Sequence, residues 1–263
     1  MSQPLIASLD NSLLTLTLNR PAKKNALTHK MYSALVTELR AAELNPAVRV
    51  VLLHGAGGNF TAGNDLFDFF SLNLVDMDET AWQALPVVQF LRQVVMFPKP
   101  LVCAVDGVAV GIGTTVLLHC DVVVSTTSAR FSLPFVRLGL VPEFGSSLLL
   151  PMLGGALLAR QKLLLGEPFD TSEARALGLV SVVCEQENAL LETAREYAQK
   201  LANLPARAVR TSKQLINAHF RDQLLTALDN EEREFLLALR SAEFREAAFA
   251  FIEKRPANFR QFE

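Results

Sequence analysis

Four short runs constrain this chain more than anything else in it: VRVVLL (48–53), LVCAV (101–105), DVVVS (121–125) and LVSVVC (179–184). Each is almost continuously apolar. A strand with one wet face alternates apolar and polar residues, so a run without alternation has to be covered on both faces. Helical periodicity fills the gaps between these runs. Strands alternating with helices predict an α/β fold built on a buried, largely parallel sheet.

The remaining elements follow from the same reading. Leu14, Leu16 and Leu18 alternate with Thr15 and Thr17, the pattern of a half-buried strand that ends at Asn19-Arg20-Pro21. Thr28 suits an N-cap for a helix with Met31, Leu35, Leu39 and Ala42 on one face, stopping near Asn45-Pro46. Helices are expected over 80–96, from Gly111 through His119, from Gly145-Ser146-Ser147 up to a limit set by Pro151, and up to Gly166. Thr171 is expected to cap a short helix closed by Gly178, and 129–132 is a further short strand. Helices near 188–203, 206–218, 222–240 and 241–254 complete the chain. No fixed-period repeat or Gly/Ser-rich tether is visible, so an α/β body over 1–200 and a helical region over 201–263 belong to one structural unit.

Composition removes several classes of function. Half of the 263 residues are apolar and a fifth are charged, ample for a sizeable core. A net charge of −2 leaves no electrostatic footprint for nucleic acid or an anionic membrane. No apolar run reaches the roughly 18 to 20 residues of a membrane span; the longest, 101–124, is interrupted by Asp106, His119 and Asp121. The start MSQPLIASLD has neither a secretory nor an Arg-rich leader pattern, and Arg260-Gln261-Phe262-Glu263 is not a peroxisomal address. Cys103, Cys120 and Cys184 read as reduced core thiols, which places the protein in the cytoplasm. His29, His54, His119 and His219 lack metal-ligand spacing, so no metal site is expected.

One acid stands out. The stretch 129–151 (ARFSLPFVRLGLVPEFGSSLLLP) contains a single acidic residue, Glu143, between Pro142 and Phe144-Gly145. A carboxylate in such company is either a turn residue facing water or a base kept dry, its pKa raised towards neutrality by desolvation. The local residues leave both readings open.

Three stretches taken together decide between them: Phe60–Leu66 (FTAGNDL), Val105–Gly111 (VDGVAVG) and Cys120–Ser125 (CDVVVS), with Asn19-Arg20-Pro21 and Asn25-Ala26-Leu27 ahead of them. With this spaced set the chain resembles the crotonase (enoyl-CoA hydratase/isomerase) superfamily, from Asn19 to Lys254. The resemblance implies a crotonase-like spiral of ββα units with a C-terminal helical trimerisation region, and a homotrimer or dimer of trimers. It implies an acyl-CoA thioester as substrate, held with its carbonyl oxygen facing two backbone N–H groups that fall on Ala62 and Ile112. It implies no separate cofactor, CoA arriving as part of the substrate.

Hydratases of this superfamily carry two glutamates; here their positions are Thr115 and Phe135. The run from Pro134 to Ser147 instead resembles the P-F-x-x-L-G-x-x-P-E-x-x-S-S of peroxisomal-type Δ3,Δ2-enoyl-CoA isomerases, which maps their catalytic glutamate onto Glu143. The activity so implied is the shift of a 3-enoyl-CoA double bond to the 2-position, in fatty acid or related acyl-CoA degradation. The alternatives are another crotonase enzyme, hydratases included, or a catalytically silent acyl-CoA-binding module.

For the CoA thioester the resemblance points to Lys24, Ala26, Gly63, Asn64, Asp65, Leu66, Phe70, Gly111, Phe251 and Lys254. The residues alone leave other roles open: Lys23 and Lys24 as solvated lysines, Asp65 as a helix cap, Phe251 and Lys254 as helix packing and surface charge. Leu66, Phe67, Phe69 and Phe70 suit an acyl pocket or an ordinary core.

Overall fold

The computed structural model describes residues 3–70 and 77–262, without the side chains of Phe69, Phe70 and Glu187. Its strands are β1 (Leu5–Asp10), β2 (Leu13–Leu18), β3 (Val50–Gly55), β4 (Leu101–Val105), β5 (Val108–Val110), β6 (Val122–Thr126), β7 (Arg130–Ser132), β8 (Phe169–Asp170) and β9 (Val182–Cys184). The apolar runs lie side by side in a six-stranded sheet of order β1-β2-β3-β4-β6-β9. All its pairs are parallel except the hairpin β1–β2. Asn11 and Ser12 close that hairpin with positive φ (46° and 64°), as a two-residue turn between right-twisted strands requires.

Both faces of the sheet are covered. Leu14, Leu16, Val51, Leu53, Cys103 and Val105 face one hydrophobic cluster, which includes buried residues of helices α1 (His29–Leu44) and, beyond α2 (Leu66–Phe70) and α3 (Glu79–Gln83), of α4 (Pro86–Met96). Their alternates Leu13, Val50, Leu52, Val102 and Ala104 face a second cluster with Ala194, Ala198 and Ala202. The spacing of four in those alanines gives one helix a smooth stripe that lies close against the sheet.

A second, three-stranded sheet has the order β5-β7-β8. Three successive passes of the chain visit the large sheet and then this smaller region: β3 is followed by a bridge from Thr61 to Ala109, β4 by β5, and β6 by β7. The spiral is therefore repetitive in space although no period is legible in sequence.

After β5 come α5 (Ile112–Thr115), with a 3-10 turn from Val116 to His119, then α6 (Ser146–Gly154), α7 (Ala156–Leu165), α8 (Thr171–Ala176) and α9 (Leu190–Asn203). The C-terminal helices α10 (Ala206–Ala218), α11 (Arg221–Leu239) and α12 (Ala242–Glu253) do not stand apart. Leu224, Leu228, Phe235, Leu239 and Phe244 join the main core.

Two expectations are corrected. The helix expected over 80–96 is two helices, because Pro86 disfavours helical backbone at Leu85, which is extended (ψ 135°). Thr171 does not cap α8; Asp170 does, in a capping box with Glu173, while the Thr171 hydroxyl donates to the Thr126 carbonyl at 2.7 Å. Strands β1, β5 and β8 were not anticipated.

The loop before α1 is clamped by Asn25. This residue is buried with φ 55°, a left-handed conformation that asparagine tolerates better than most residues. Its Nδ2 donates to the Ala56 and Asn59 carbonyls (2.9 and 2.7 Å), and its Oδ1 accepts from Arg20 N at 2.8 Å. Replacing Asn25 by Ala removes all three bonds and should cost roughly 2–4 kcal/mol. Urea unfolding of Asn25→Ala against wild type measures this; a loss below about 0.5 kcal/mol contradicts the clamp.

Candidate active site

Two glycine-bearing segments meet at the edge of the small sheet. Thr61 N donates to Val108 O (2.9 Å), and Val110 N returns a bond to Thr61 O (3.1 Å). Gly63 and Gly113 permit this approach. A Cβ on Gly63 would sit 2.6 Å from Val110 O, and one on Gly113 would sit 2.4 Å from Thr61 Cγ2. The segments 61–66 and 108–113 thus form one rigid ledge.

The ledge borders a cleft of about 710 Å³, within the range of ligand sites. On its wall lie Ala26, Ala62, Gly63, Asn64, Asp65, Leu66, Gly111, Ile112 and Phe251, as expected from the sequence, together with Phe67, Phe135, Phe235 and Phe244. Arg20 and Lys23 add positive charge to it. Lys24 and Lys254 are exposed and not on this wall; each ends a helical turn in left-handed conformation. The side chain of Phe70 lies outside the described residues. Asp65 carries two interactions: it accepts from Arg20 (3.1 Å) and from Phe67 N at the start of α2 (3.2 Å).

The expected pair of amides is corrected at one position. Ala62 N already donates to Lys24 O at 2.8 Å, so this N–H is not available to a ligand. Its neighbours Gly63 N and Asp65 N are also committed, to Thr61 Oγ1 (3.1 Å) and Leu27 O (2.8 Å). Asn64 N has no hydrogen-bond partner among the described residues, and neither does Ile112 N at the start of α5. Asn64 and Ile112 therefore hold the two open amides on this wall. The Asn64 side chain is fixed separately, its Oδ1 accepting from the Tyr32 hydroxyl at 2.5 Å. Burial, and then the charge of Glu143, push the Tyr32 phenol well above its ordinary pKa, so it remains a donor.

Glu143 is buried, 8% exposed. It lines a cavity of about 20 Å³ that adjoins the cleft and shares Asn64 and Phe235 with it. Thr115 Oγ1 donates to Glu143 Oε1 at 2.5 Å. Burial pushes the carboxyl pKa up to about 8, against the Thr115 hydrogen bond, which lowers it, and with the charge of Glu231, which raises it further. The turn that follows is strained: Phe144 and Gly145 both take positive φ (61° and 72°), rare for a bulky residue such as phenylalanine. His119 steadies it. Its ring stacks on Phe144 with centroids 4.2 Å apart. Its Nε2 lies 2.8 Å from Phe144 O, and since a carbonyl only accepts, Nε2 carries the hydrogen. Burial lowers the His119 pKa to about 4, so the ring is neutral near pH 7.

The sequence reading missed Tyr32 and Glu231, whose partners are 32 and 86 residues away in the chain. It placed Thr115 and Phe135 where hydratases carry acids. The first hydrogen-bonds Glu143 and the second lines the cleft. Among the described residues, no group of His, Cys, Asp and Glu is arranged to hold a metal ion.

Two open amides beside one dry carboxylate can stabilise a developing oxyanion and move a proton next to it. The chain belongs to the enoyl-CoA hydratase/isomerase family, which it matches over residues 8–262. It is 35% identical over 263 residues to 1,2-epoxyphenylacetyl-CoA isomerase of Escherichia coli K12, spanning 98% of this chain and 99% of that protein. It is 34% identical over 258 residues to enoyl-CoA delta isomerase 2 of Rattus norvegicus, spanning 97% of this chain and 65% of that one. The crystal structure of an enoyl-CoA hydratase/isomerase from Pseudoalteromonas atlantica T6c superposes with a TM-score of 0.91 at 40% identity, over 98% of this chain and all of that chain. The fold is accordingly the crotonase fold.

The raised carboxyl has a consequence for stability. Glu143 keeps its proton up to about pH 8 when folded, but only to about 4.5, its ordinary value, when unfolded. The folded chain binds the extra proton between these values, so this contribution to stability is complete below the lower one and declines as pH rises through the window. Glu143→Gln, which cannot ionise, should flatten that part of the decline in melts taken from pH 5 to 9. Parallel slopes for the two proteins would contradict the assignment.

Proposed function

We propose that this chain is a Δ3,Δ2-enoyl-CoA isomerase in which Glu143 is the single acid–base group. The carrying observation is one dry carboxylate beside two open amides, with Thr115 and Phe135 where a hydratase of the family places its glutamates. The thioester carbonyl sits against the N–H groups of Asn64 and Ile112. Glu143 carboxylate takes a proton from C2 of the 3-enoyl group, the electron pair delocalises into a dienolate, and its oxygen charge is held by the two amides. The same carboxylic acid returns the proton at C4, which leaves the double bond at C2–C3. Atoms balance with no water consumed, so one carboxyl group suffices. Arg20 and Lys23 suit the CoA phosphates, and the phenylalanines of the cleft suit the acyl chain.

The likeness to enoyl-CoA delta isomerase 2 and to 1,2-epoxyphenylacetyl-CoA isomerase supports an isomerase over a hydratase. The same reading expects assembly into a homotrimer or a dimer of trimers. Leu157, Leu164 and Leu165 on α7, each at least 49% exposed, are apolar surface available for such contacts.

The test follows a 3-enoyl-CoA with no hydratase added. Wild type should form the 2-enoyl thioester, with kcat/KM rising with pH and levelling above about 8, where Glu143 is ionised. Glu143→Gln should lose about 10²- to 10⁴-fold in kcat while thioester binding survives. Full activity in that variant, or a 3-hydroxyacyl product from wild type, would overturn the proposal.

A further inference from the structure

The turn that carries Glu143 is not held by its own neighbourhood. Gly145 is the N-cap of α6, and no side chain of the local sequence caps that helix. The open amides are instead taken by Glu231 of α11: Oε2 accepts from Gly145 N at 2.6 Å and Oε1 from Ser147 N at 2.9 Å. Glu231 is 7% exposed, and the Ser147 hydroxyl also bonds it. Burying a carboxylate beside a second one is unfavourable, and a helix end could be capped by a local Ser or Asp without that cost. What a distant carboxylate adds is a fixed link between the last long helix and the turn.

We infer that Glu231 is a positioning residue for Glu143: its two amide contacts hold the strained Phe144-Gly145 turn, so that α11, and not the local chain, sets where the Glu143 carboxylate points. The inference rests on the reading of Glu143 as the base. Every group facing the pair is consistent with it. Thr115 from α5 bonds Glu143, and the Tyr32 phenol from α1 lies near it but donates to Asn64. Glu232, the next residue on α11, is engaged by Arg92 (2.8 Å) and by Gln83 (3.3 Å). Asp229 takes the same Arg92 at 2.8 Å, which leaves Glu231 as a second negative charge acting on Glu143.

Two substitutions separate the contact from the charge. Glu231→Gln removes the charge and one of the two acceptors; Glu231→Asp keeps the charge but draws it back from both amides. In Glu231→Gln, kcat on a 3-enoyl-CoA should fall about tenfold or more, as misplacement of a reacting group does, with KM within about twofold. The Glu143 carboxyl, followed by carbon-13 NMR and assigned with Glu143→Gln, should titrate at lower pH than in wild type. In Glu231→Asp, kcat should fall while that titration stays near its wild-type position. This variant also carries the test if Glu231→Gln does not fold. Unchanged kcat in both variants, or a Glu143 titration that ignores the loss of the neighbouring charge, would overturn the inference. The NMR titration needs no turnover, so if wild type fails to isomerise the thioester, the functional reading falls and the link between Glu231 and Glu143 is still decided.

Discussion

A carboxylate without water is the constraint on which this site depends. Glu143 gives up most of its hydration and receives one short hydrogen bond from Thr115 in return, and its proton affinity rises to the neutral range. An ordinary surface glutamate is too weak a base to hold a proton near pH 7. The surroundings of Glu143 follow from this requirement. Phenylalanine rings keep the pocket dry, a left-handed turn points the side chain inward, and His119 stays neutral, so it adds hydrogen bonding without charge.

The fold supplies the rest through its two sheets. Because the large sheet is covered on both faces, its strands cannot shift register without moving a complete hydrophobic set. That rigidity reaches the segments 61–66 and 108–113 through the bridge between Thr61 and Ala109. The open amides of Asn64 and Ile112 are then held by backbone that has no freedom to relax, which is what a preorganised oxyanion site requires. Helix α11 closes the arrangement by lending Phe235 to the cavity and Glu231 to the turn.

Much of this was legible in the residues, and the failures have physical causes. The doubly covered strands announced themselves because burial on both faces removes alternation. Strand β1 did not, since five of its six residues are exposed and an edge strand needs no apolar run. The motif around Phe60–Leu66 located the ledge, and small residues marked where backbone comes close. They could not say which amide is open. That depends on Lys24, whose carbonyl claims Ala62 N from a loop far back in the chain. Glu143 stood out through its apolar neighbours, whereas Glu231 sits in an ordinary charged helical stretch and gains meaning only when α11 docks. Lys24 and Lys254 illustrate the converse: their positions follow the family pattern, yet in this chain their side chains are not on the cleft wall.

The central claim is that one carboxylate carries the same proton between two carbons without engaging water. The most direct measurement uses a 3-enoyl-CoA deuterated at C2, incubated with the protein in oxygen-18 water and read by mass spectrometry and NMR. A dry single-base site predicts a 2-enoyl thioester with deuterium delivered to C4 in part of the product and no oxygen-18. A 3-hydroxyacyl thioester bearing oxygen-18, or a substrate returned with its double bond and label unmoved, would contradict it.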